Sequence, residues 1–431
     1  MAARPVTMQA ARPAARPSGH RGGARDHVDV LVVGGGPAGA AAALTLARAG
    51  RSVLLADAGT GPPKIGEALP SAARVLLHDL GTGDRPVRDG HLPCYANLSA
   101  WGSPALHRLD FIRDPNGPGW HLDRHRFDRA LREEAAAAGA HLALHTAVRR
   151  AARRPDGGWT VTLQATRPEP GHLPEPAPTP TPAPAPAPAP ERTVRCTWLV
   201  DAGGRRRTVA ARAADHHRTD RLVASCLELP PTGDGRAGDR SSLVEAAEDG
   251  WWYTALLPRG RRLVAYFTDA DLGPPAPRDT AALARLLART EHVAALAAAH
   301  PLPATARPRR APAHSVHLDR PTGDGWIAVG DAATAFDPIS SQGILTALYT
   351  GMAGARALDR HLDGDTDADD GALAAYRTNA AGLLAAYRHN HHAVYALERR
   401  WQDRPFWARR HRAAVPGPAP VPPSELRRTP A

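Results

Sequence analysis

Gly34, Gly36 and Gly39 stand at a G-x-G-x-x-G spacing, and a carboxylate, Asp57, closes the apolar run that follows. Those residue types can hold the phosphates and ribose of a dinucleotide. Gly34 allows a tight turn, Gly36 lets main chain approach a pyrophosphate, and Gly39 lets a helix pack closely on a strand. Pro37 and Ala38 open that helix, and its N-terminal amides face the phosphates. Asp57 can accept hydrogen bonds from ribose hydroxyls. Asp201, with Gly203 and Gly204 behind it, repeats the pattern of an acid and glycines after an apolar run. Gly330-Asp331 repeats it again and leads through Asp337-Pro338 and Ser340-Ser341 to Gly343-Ile344. Asp331 can bind a polyol chain. Amides near Gly343 and Ile344 would stabilise negative charge at a helix start.

These groups need a particular framework. Val28 to Val33 reads as a buried strand, Ala38 to Ala49 as a helix stopped by Gly50, and Ser52 to Ala56 as a second strand. With strand, turn, helix, strand and acid in order, the glycine spacing becomes specific. A helix is expected from near Trp120 to Ala138, with Leu122, Phe127, Leu131 and Ala135 mostly on one face, then a strand from His141 to Val148. Trp159 to Ala165 and Thr193 to Val200 read as strands, and the Pro/Ala-rich tract 167–191 between them reads as an extended insertion at a hairpin tip. Leu222 to Leu229, Ser241 to Glu245, Trp251 to Leu257 and Arg262 to Thr268 read as strands of a mixed sheet, with a helix near 280–299. In that sheet Trp251, Trp252, Tyr253, Tyr266 and Phe267 could stack on an aromatic substrate, although filling the core is the commoner use of strand aromatics. The last region is helical. Tyr376 and Tyr387 share a face there, and His389, His391 and His392 lack metal-ligand spacing, so no metal site is expected and the run reads as a solvated helix face.

The fold class is therefore α/β, a Rossmann-like domain with an inserted mixed-sheet domain and a helical C-terminal region. The nucleotide domain is expected from 27–90, 119–215 and 316–360, the substrate domain from 91–118 and 216–315, the helical region from 361–431, and a disordered tail from 1–26. The 431 residues carry a formal charge of +11, but five arginines against one aspartate fall in 1–26 and eight arginines against three acids in 396–431. The body is nearly neutral and lacks a reader motif, which argues against nucleic acid. Cys94, Cys196 and Cys226 have no paired spacing. That excludes a disulfide framework or zinc ribbon and fits a reducing, cytoplasmic setting. No apolar run is long enough to span a membrane. No second G-x-G-x-x-G follows a strand, so a nicotinamide cofactor would have no Rossmann domain of its own.

Taken together, Gly34-Gly-Gly36-Pro-Ala-Gly39, Gly66-Glu67-Ala-Leu-Pro70, Asp123-Arg124-His-Arg-Phe127-Asp128 and Gly330-Asp331 through Gly343-Ile344 resemble the flavoprotein monooxygenases of p-hydroxybenzoate hydroxylase-type fold, in their tryptophan-halogenase-like branch. The strap Gly66–Pro70, the run Gly119-Trp-His-Leu-Asp-Arg124 and the terminal Trp401 and Trp407 also resemble flavoproteins that hydroxylate a tryptophan inside a partner protein to build a tryptophylquinone. The resemblance implies FAD, held by Gly34, Gly36, Pro37, Ala38, Gly39, Asp57, Arg124, Val148, Gly330, Asp331, Gly343 and Ile344. It implies reduction by external NAD(P)H or a separate flavin reductase. It further implies hydroxylation of an indole- or phenol-like ring through a C4a-hydroperoxyflavin, the ring belonging to a small molecule or to a tryptophan of a partner protein. Halogenation is disfavoured. The segment from His91 to Trp101 lacks the lysine which that branch carries after the strap, Ser340 stands where an acid is expected, and Trp251-Trp-Tyr-Thr-Ala-Leu-Leu-Pro258 only loosely matches Trp-x-Trp-x-Ile-Pro. A geranylgeranyl-type saturating reductase and a non-catalytic FAD-binding protein are compatible with the same motifs. Glu67, within the strap, is the candidate catalytic acid or base. His91, Tyr95 and His121 are further polar residues expected near the site.

Overall fold

The computed structural model describes residues 27–60, 65–88, 90–166, 191–232, 238–272, 277–303, 306–364 and 369–412. The tail 1–26 and most of the Pro/Ala tract lie outside the described residues.

The main sheet is built on parallel strands. Trp326–Ala328, Glu191–Asp201, His27–Val33, Val53–Asp57 and His141–Leu144 run side by side in that order. Val30 and Val32 face a core of helices, while Val28, Leu31 and Val33 face a second core, and all five are buried. A strand covered on both faces must be apolar, as Val30–Val33 is, and Asp29 near the strand's start is satisfied by the Ser52 amide and hydroxyl at 2.7 Å each. The helix Pro37–Arg48 covers one face, and Pro37 at its start is preset for helical φ. Its alanines permit close packing. A Cβ at Gly351, in the helix Gly343–Leu362, would come 2.3 Å from the Ala38 carbonyl oxygen.

Three sequence expectations are corrected here. The helix expected from near Trp120 runs from Arg124 to Ala137, because Gly119–His121 forms a strand and the Asp123 side chain caps the helix by accepting from the Arg126 amide. The strand from His141 to Val148 is broken at His145, which takes a left-handed φ of +49°. His141–Leu144 stays parallel in the main sheet, and Thr146–Arg153 turns away to pair antiparallel with Trp159–Ala165. The helix near 280–299 is two helices, Thr280–Leu287 and His292–Ala297. The buried carboxylate of Glu245 accepts the amides of Glu291, His292 and Val293 at 2.8, 3.1 and 2.8 Å. It therefore starts a new helix at that point, where an N-terminus leaves amides to satisfy.

The second large sheet has the order Arg309–Pro312, Leu222–Leu229, Arg262–Asp269, Gly250–Leu256, Ser242–Ala247, Ala96–Ala100, His107–Asp110. It is antiparallel except where Ser242–Ala247 meets Ala96–Ala100. One face, with Trp252, Tyr266 and Val264, packs under the two short helices. The other, with Trp251, Tyr253, Ala265 and Phe267, packs against Ile65, Ile339 and the C-terminal aromatics Tyr395, Phe406 and Trp407. A small sheet of Ala68–Leu69, Gly119–His121 and Leu92–Cys94 links the two halves. Strand Leu92–Cys94 thus pairs with Gly119–His121, whose other edge pairs with the strap strand Ala68–Leu69, while Ala96–Ala100 joins the second sheet.

Candidate cofactor and substrate site

The glycine turn is shaped for a close ligand approach. Gly34 has φ +104°, and a Cβ there would lie 2.4 Å from the Ala202 carbonyl oxygen. A Cβ on Gly39 would lie 1.9 Å from the Gly34 oxygen. Gly330, φ +60°, brings the third motif against Ala38, 2.7 Å from where its own Cβ would be. Gly36 caps the helix with backbone only, and no acid sits in the first turn. Amides there remain open to an anion. Asp57 ends its strand, partly exposed, with Arg132 Nη1 3.6 Å from Oδ2. Arg132, which sequence reasoning missed, also donates to the Gly35 carbonyl at 2.9 Å. These residues fit the phosphates and ribose of FAD.

The other acids differ in exposure. Asp331 is open, 41% exposed at its side chain and 3.7 Å from Arg205 Nε. Asp201 is fully buried and accepts from the amides of Gly203, Val209 and Ala210 at 2.9, 2.7 and 2.8 Å. Burial raises its pKa against those bonds. Asp201 therefore shapes its own turn, whereas Asp331 is free to meet a ligand. Gly343 and Ile344 start a helix with no side-chain cap and no acid in its first turn. Val148 lies half-buried in the strand Thr146–Arg153, opposite Leu163. Arg124 donates Nη1 to the Gly66 carbonyl at 2.8 Å and is braced by Asp128 at 3.1 Å.

The strap carries Glu67 into the seam between the two halves. Gly66 takes φ +99°, and Glu67 is 5% exposed. The Tyr253 hydroxyl donates to Glu67 Oε1 at 2.7 Å. Burial raises the Glu67 pKa, and the bond from Tyr253 opposes it. Burial, then the charge of Glu67, keeps Tyr253 protonated, well above its ordinary value. Beside this pair, His121 Nε2 lies 2.9 Å from the Ser242 hydroxyl, and Cys94 Sγ lies 3.8 Å from the same oxygen. Burial lowers the His121 pKa to about 4, so its imidazole is neutral. His91 uses both ring nitrogens structurally. Nδ1 accepts from the Asp123 amide at 3.0 Å, which leaves Nε2 to donate to the Pro86 carbonyl at 3.1 Å. Tyr95 is half exposed.

The loop before Gly343 is held from the long helix Asp369–Leu397. Asp337 is fully buried and accepts from Tyr395 Oη at 2.8 Å, His391 Nε2 at 3.1 Å and the Ile339 amide at 2.9 Å. Its own amide donates to Tyr387 Oη at 3.0 Å. Trp251 Nε1 donates to Tyr395 Oη at 2.9 Å. Burial pushes the Asp337 pKa up, but His391, Arg410 and the Ile339 amide outweigh it, so the carboxylate sits below its ordinary range. The expectation of a solvated histidine run therefore fails for His391, which faces inward with Tyr387 and Tyr395 on one helical stripe. Tyr376 and Tyr387 both face the protein, Tyr376 donating to the Ala328 carbonyl at 2.8 Å. Trp251 and Phe267 stack on each other at 3.9 Å, and Trp252 and Tyr266 are covered on the opposite face. Of the five sheet aromatics, Tyr253 is the one that meets the strap. All three cysteines are buried free thiols. Among the described residues there is no cluster of potential metal ligands and no helix long and apolar enough to cross a membrane.

The parallel sheet, the glycine cradle and the strap define a flavoprotein of Rossmann type. A model of the FAD binding domain family matches residues 27–387, and the chain belongs to that family. It is an FAD-dependent oxidoreductase within the superfamily of flavin monooxygenases and halogenases. LodB of Marinomonas mediterranea, described as an FAD-dependent oxidoreductase, is 30% identical over 394 residues, covering 89% of this chain and 96% of LodB. The peptidyl tryptophan dihydroxylase QhpG, essential for tryptophylquinone cofactor biogenesis, superposes with a TM-score of 0.69 at 26% identity, over 89% of this chain and 78% of QhpG. The myxobacterial chondrochloren halogenase CndH superposes with a TM-score of 0.76 over 93% of this chain and 88% of CndH. At 22% identity, that likeness speaks to fold.

Proposed function

We propose that this chain is an FAD-dependent monooxygenase that hydroxylates an electron-rich aromatic ring, the indole of a tryptophan in a partner protein being the favoured substrate. The observation that carries this reading over halogenation is the segment after the strap. His91 to Trp101 contains no lysine, and the chain's single lysine is Lys64, ahead of the strap. No ammonium group is then available there to hold a hypohalous species. Likeness to QhpG supports the substrate class, since QhpG acts on a peptidyl tryptophan. A small indole or phenol is the second substrate reading, and NAD(P)H or a separate reductase in the cytoplasm is the proposed electron source.

When bound, FAD supplies the redox chemistry and the reaction with oxygen. The chain's residues bind and orient it. Gly34, Gly36, Pro37, Ala38 and Gly39 cradle the pyrophosphate, and Asp57 accepts from the adenosine ribose. Asp331 accepts from the ribityl chain, while Arg124 and Val148 border the cofactor. The amides at Gly343 and Ile344 stabilise negative charge on the ring edge. Glu67 is the group proposed to take or return a proton. Tyr253 donates to Oε1, and burial keeps the proton more tightly held than on an exposed carboxyl.

The test supplies reduced, FAD-loaded protein with oxygen, chloride and bromide, and offers free indole, a phenol and a tryptophan-containing partner polypeptide. Mass spectrometry is expected to find additions of about 16 Da on the ring. A chlorine or bromine isotope pattern in the product would overturn the proposal in favour of halogenation.

A further inference from the structure

A cleft of about 310 Å³ opens where the strand Thr146–Arg153 meets segment 206–212. Five arginines line it: Arg149, Arg150, Arg206, Arg207 and Arg212. Arg149 donates Nε to Gln164 Oε1 at 2.7 Å. Arg150, Arg206 and Arg212 are exposed, and among the described residues no carboxylate bridges them. Arg207 is different, being only 7% exposed. Its Nε and Nη2 are buried without a hydrogen-bond partner. Its backbone takes a left-handed φ of +46°, at the end of the turn Gly204–Arg206. Nearby Asp201 is occupied by three amides, and nearby Asp331 faces Arg205.

An unanswered buried guanidinium costs several kilocalories, and crowding like charges beside it adds to that cost. Such a group in a native structure calls for a partner beyond the protein's own side chains, an ordered water or an ion. Arginine donors in a planar fork match the oxygens of a phosphate, and the exposed guanidinium groups at the rim would neutralise its second charge. The glycine cradle is built from main chain at residues 34–39 and does not line the cleft, whereas Val148, assigned above to the cofactor's border, does.

We propose that this cleft is an anion site that takes a phosphomonoester, with Arg207 as the inner donor and Arg150, Arg206 and Arg212 at the rim. The phosphate has two available sources, free inorganic phosphate or the 2′-phosphate of a phosphorylated nicotinamide dinucleotide. The second source rests on the reductase step of the function proposed above and would make NADPH the reductant; the site itself does not depend on that reaction.

The experiment is calorimetric titration of the full chain saturated with FAD, at low salt, with inorganic phosphate, 5′-AMP and 2′,5′-ADP. Saturable binding of 2′,5′-ADP at least about tenfold tighter than 5′-AMP and phosphate supports the nucleotide source. Equal binding of phosphate and 2′,5′-ADP supports free phosphate. The double variant Arg206→Gln/Arg212→Gln should weaken either by at least about tenfold with unchanged FAD content. Arg207→Met should abolish the phosphate-dependent rise in Tm, and in phosphate-free buffer should leave Tm equal or higher, since it removes an unanswered charge. Absence of saturable binding, affinity unchanged in the double variant, or binding seen only without FAD would overturn the proposal; the last outcome would assign the cleft to the flavin's adenosine.

Discussion

Replacing Tyr253 with phenylalanine removes one hydroxyl from the seam between strap and second sheet. That hydroxyl donates to Glu67 Oε1 at 2.7 Å, and both side chains are largely enclosed. A hydrogen bond to a charged group contributes about 1.5–3 kcal/mol, and a neutral one about 0.5–1.5 kcal/mol. The loss should therefore depend on pH. Burial holds the folded pKa of Glu67 above its unfolded value, so the folded state binds the extra proton, and the stability this confers is lost as pH rises from about 4.5 through the folded pKa. The Tyr253 bond opposes that shift, so Tyr253→Phe raises the folded pKa further and extends the loss to higher pH. At pH 5 the variant should lose only the share of a neutral bond, about 0.5–1.5 kcal/mol. At pH 8 it should lose about 1.5–3 kcal/mol, a Tm drop of about 2–4 °C for a chain of this size. Denaturant unfolding at both pH values measures this, and a double-mutant cycle with Glu67→Gln isolates the pair. Equal losses at pH 5 and pH 8, or a coupling energy below about 0.3 kcal/mol, would refute the pairing as argued.

Asp331→Ala should weaken FAD binding roughly ten- to a hundredfold by removing charged acceptors for the ribityl hydroxyls, as fluorescence titration of the apoprotein would show; an unchanged Kd removes Asp331 from the site. Gly39→Val should yield protein without flavin colour, because a side chain there meets the Gly34 oxygen at 1.9 Å; yellow protein with normal FAD content counts against the cradle. Deleting residues 170–190 should leave folding and FAD content intact, since Trp159–Ala165 and Glu191–Asp201 pair from Trp159 opposite Cys196 to Gln164 opposite Glu191; loss of soluble protein would contradict this. Stability should fall as pH drops from about 6.5 toward 4, where the neutral, buried His121 must take up a proton, its pKa held at about 4. His121→Asn should flatten that dependence in acid unfolding curves, and an unchanged slope excludes His121 as its source.

Much of this architecture could be read from local pattern. The strand–turn–helix–strand unit around Gly34 to Asp57 is contiguous in the chain, and Leu222–Leu229 carries its own bounds in composition. Harder to read were features whose cause is distant. The helix break at Thr290 depends on Glu245, on another strand. The inward turn of His391 depends on Asp337, 54 residues earlier. Tyr253 meets Glu67 across 186 residues, a distance no periodicity spans. The strand Ala68–Leu69 is too short for any pattern to show. The opposite fates of Trp251 and Trp252 were accessible in principle, because neighbours in a strand must point to opposite faces.

The anchoring of Asp337 by Tyr387, His391 and Tyr395 bears on how the protein matures during synthesis. The glycine turn and its flanking strands leave the ribosome early, but the loop ahead of Gly343 has no anchor until the long terminal helix has emerged. A nascent chain can then fold its glycine turn well before the loop ahead of Gly343 is locked. Chains truncated ahead of Tyr387 should retain cofactor poorly even though every glycine of the cradle is present. Synthesis through Tyr395 would thus itself act as the checkpoint for a competent flavoprotein.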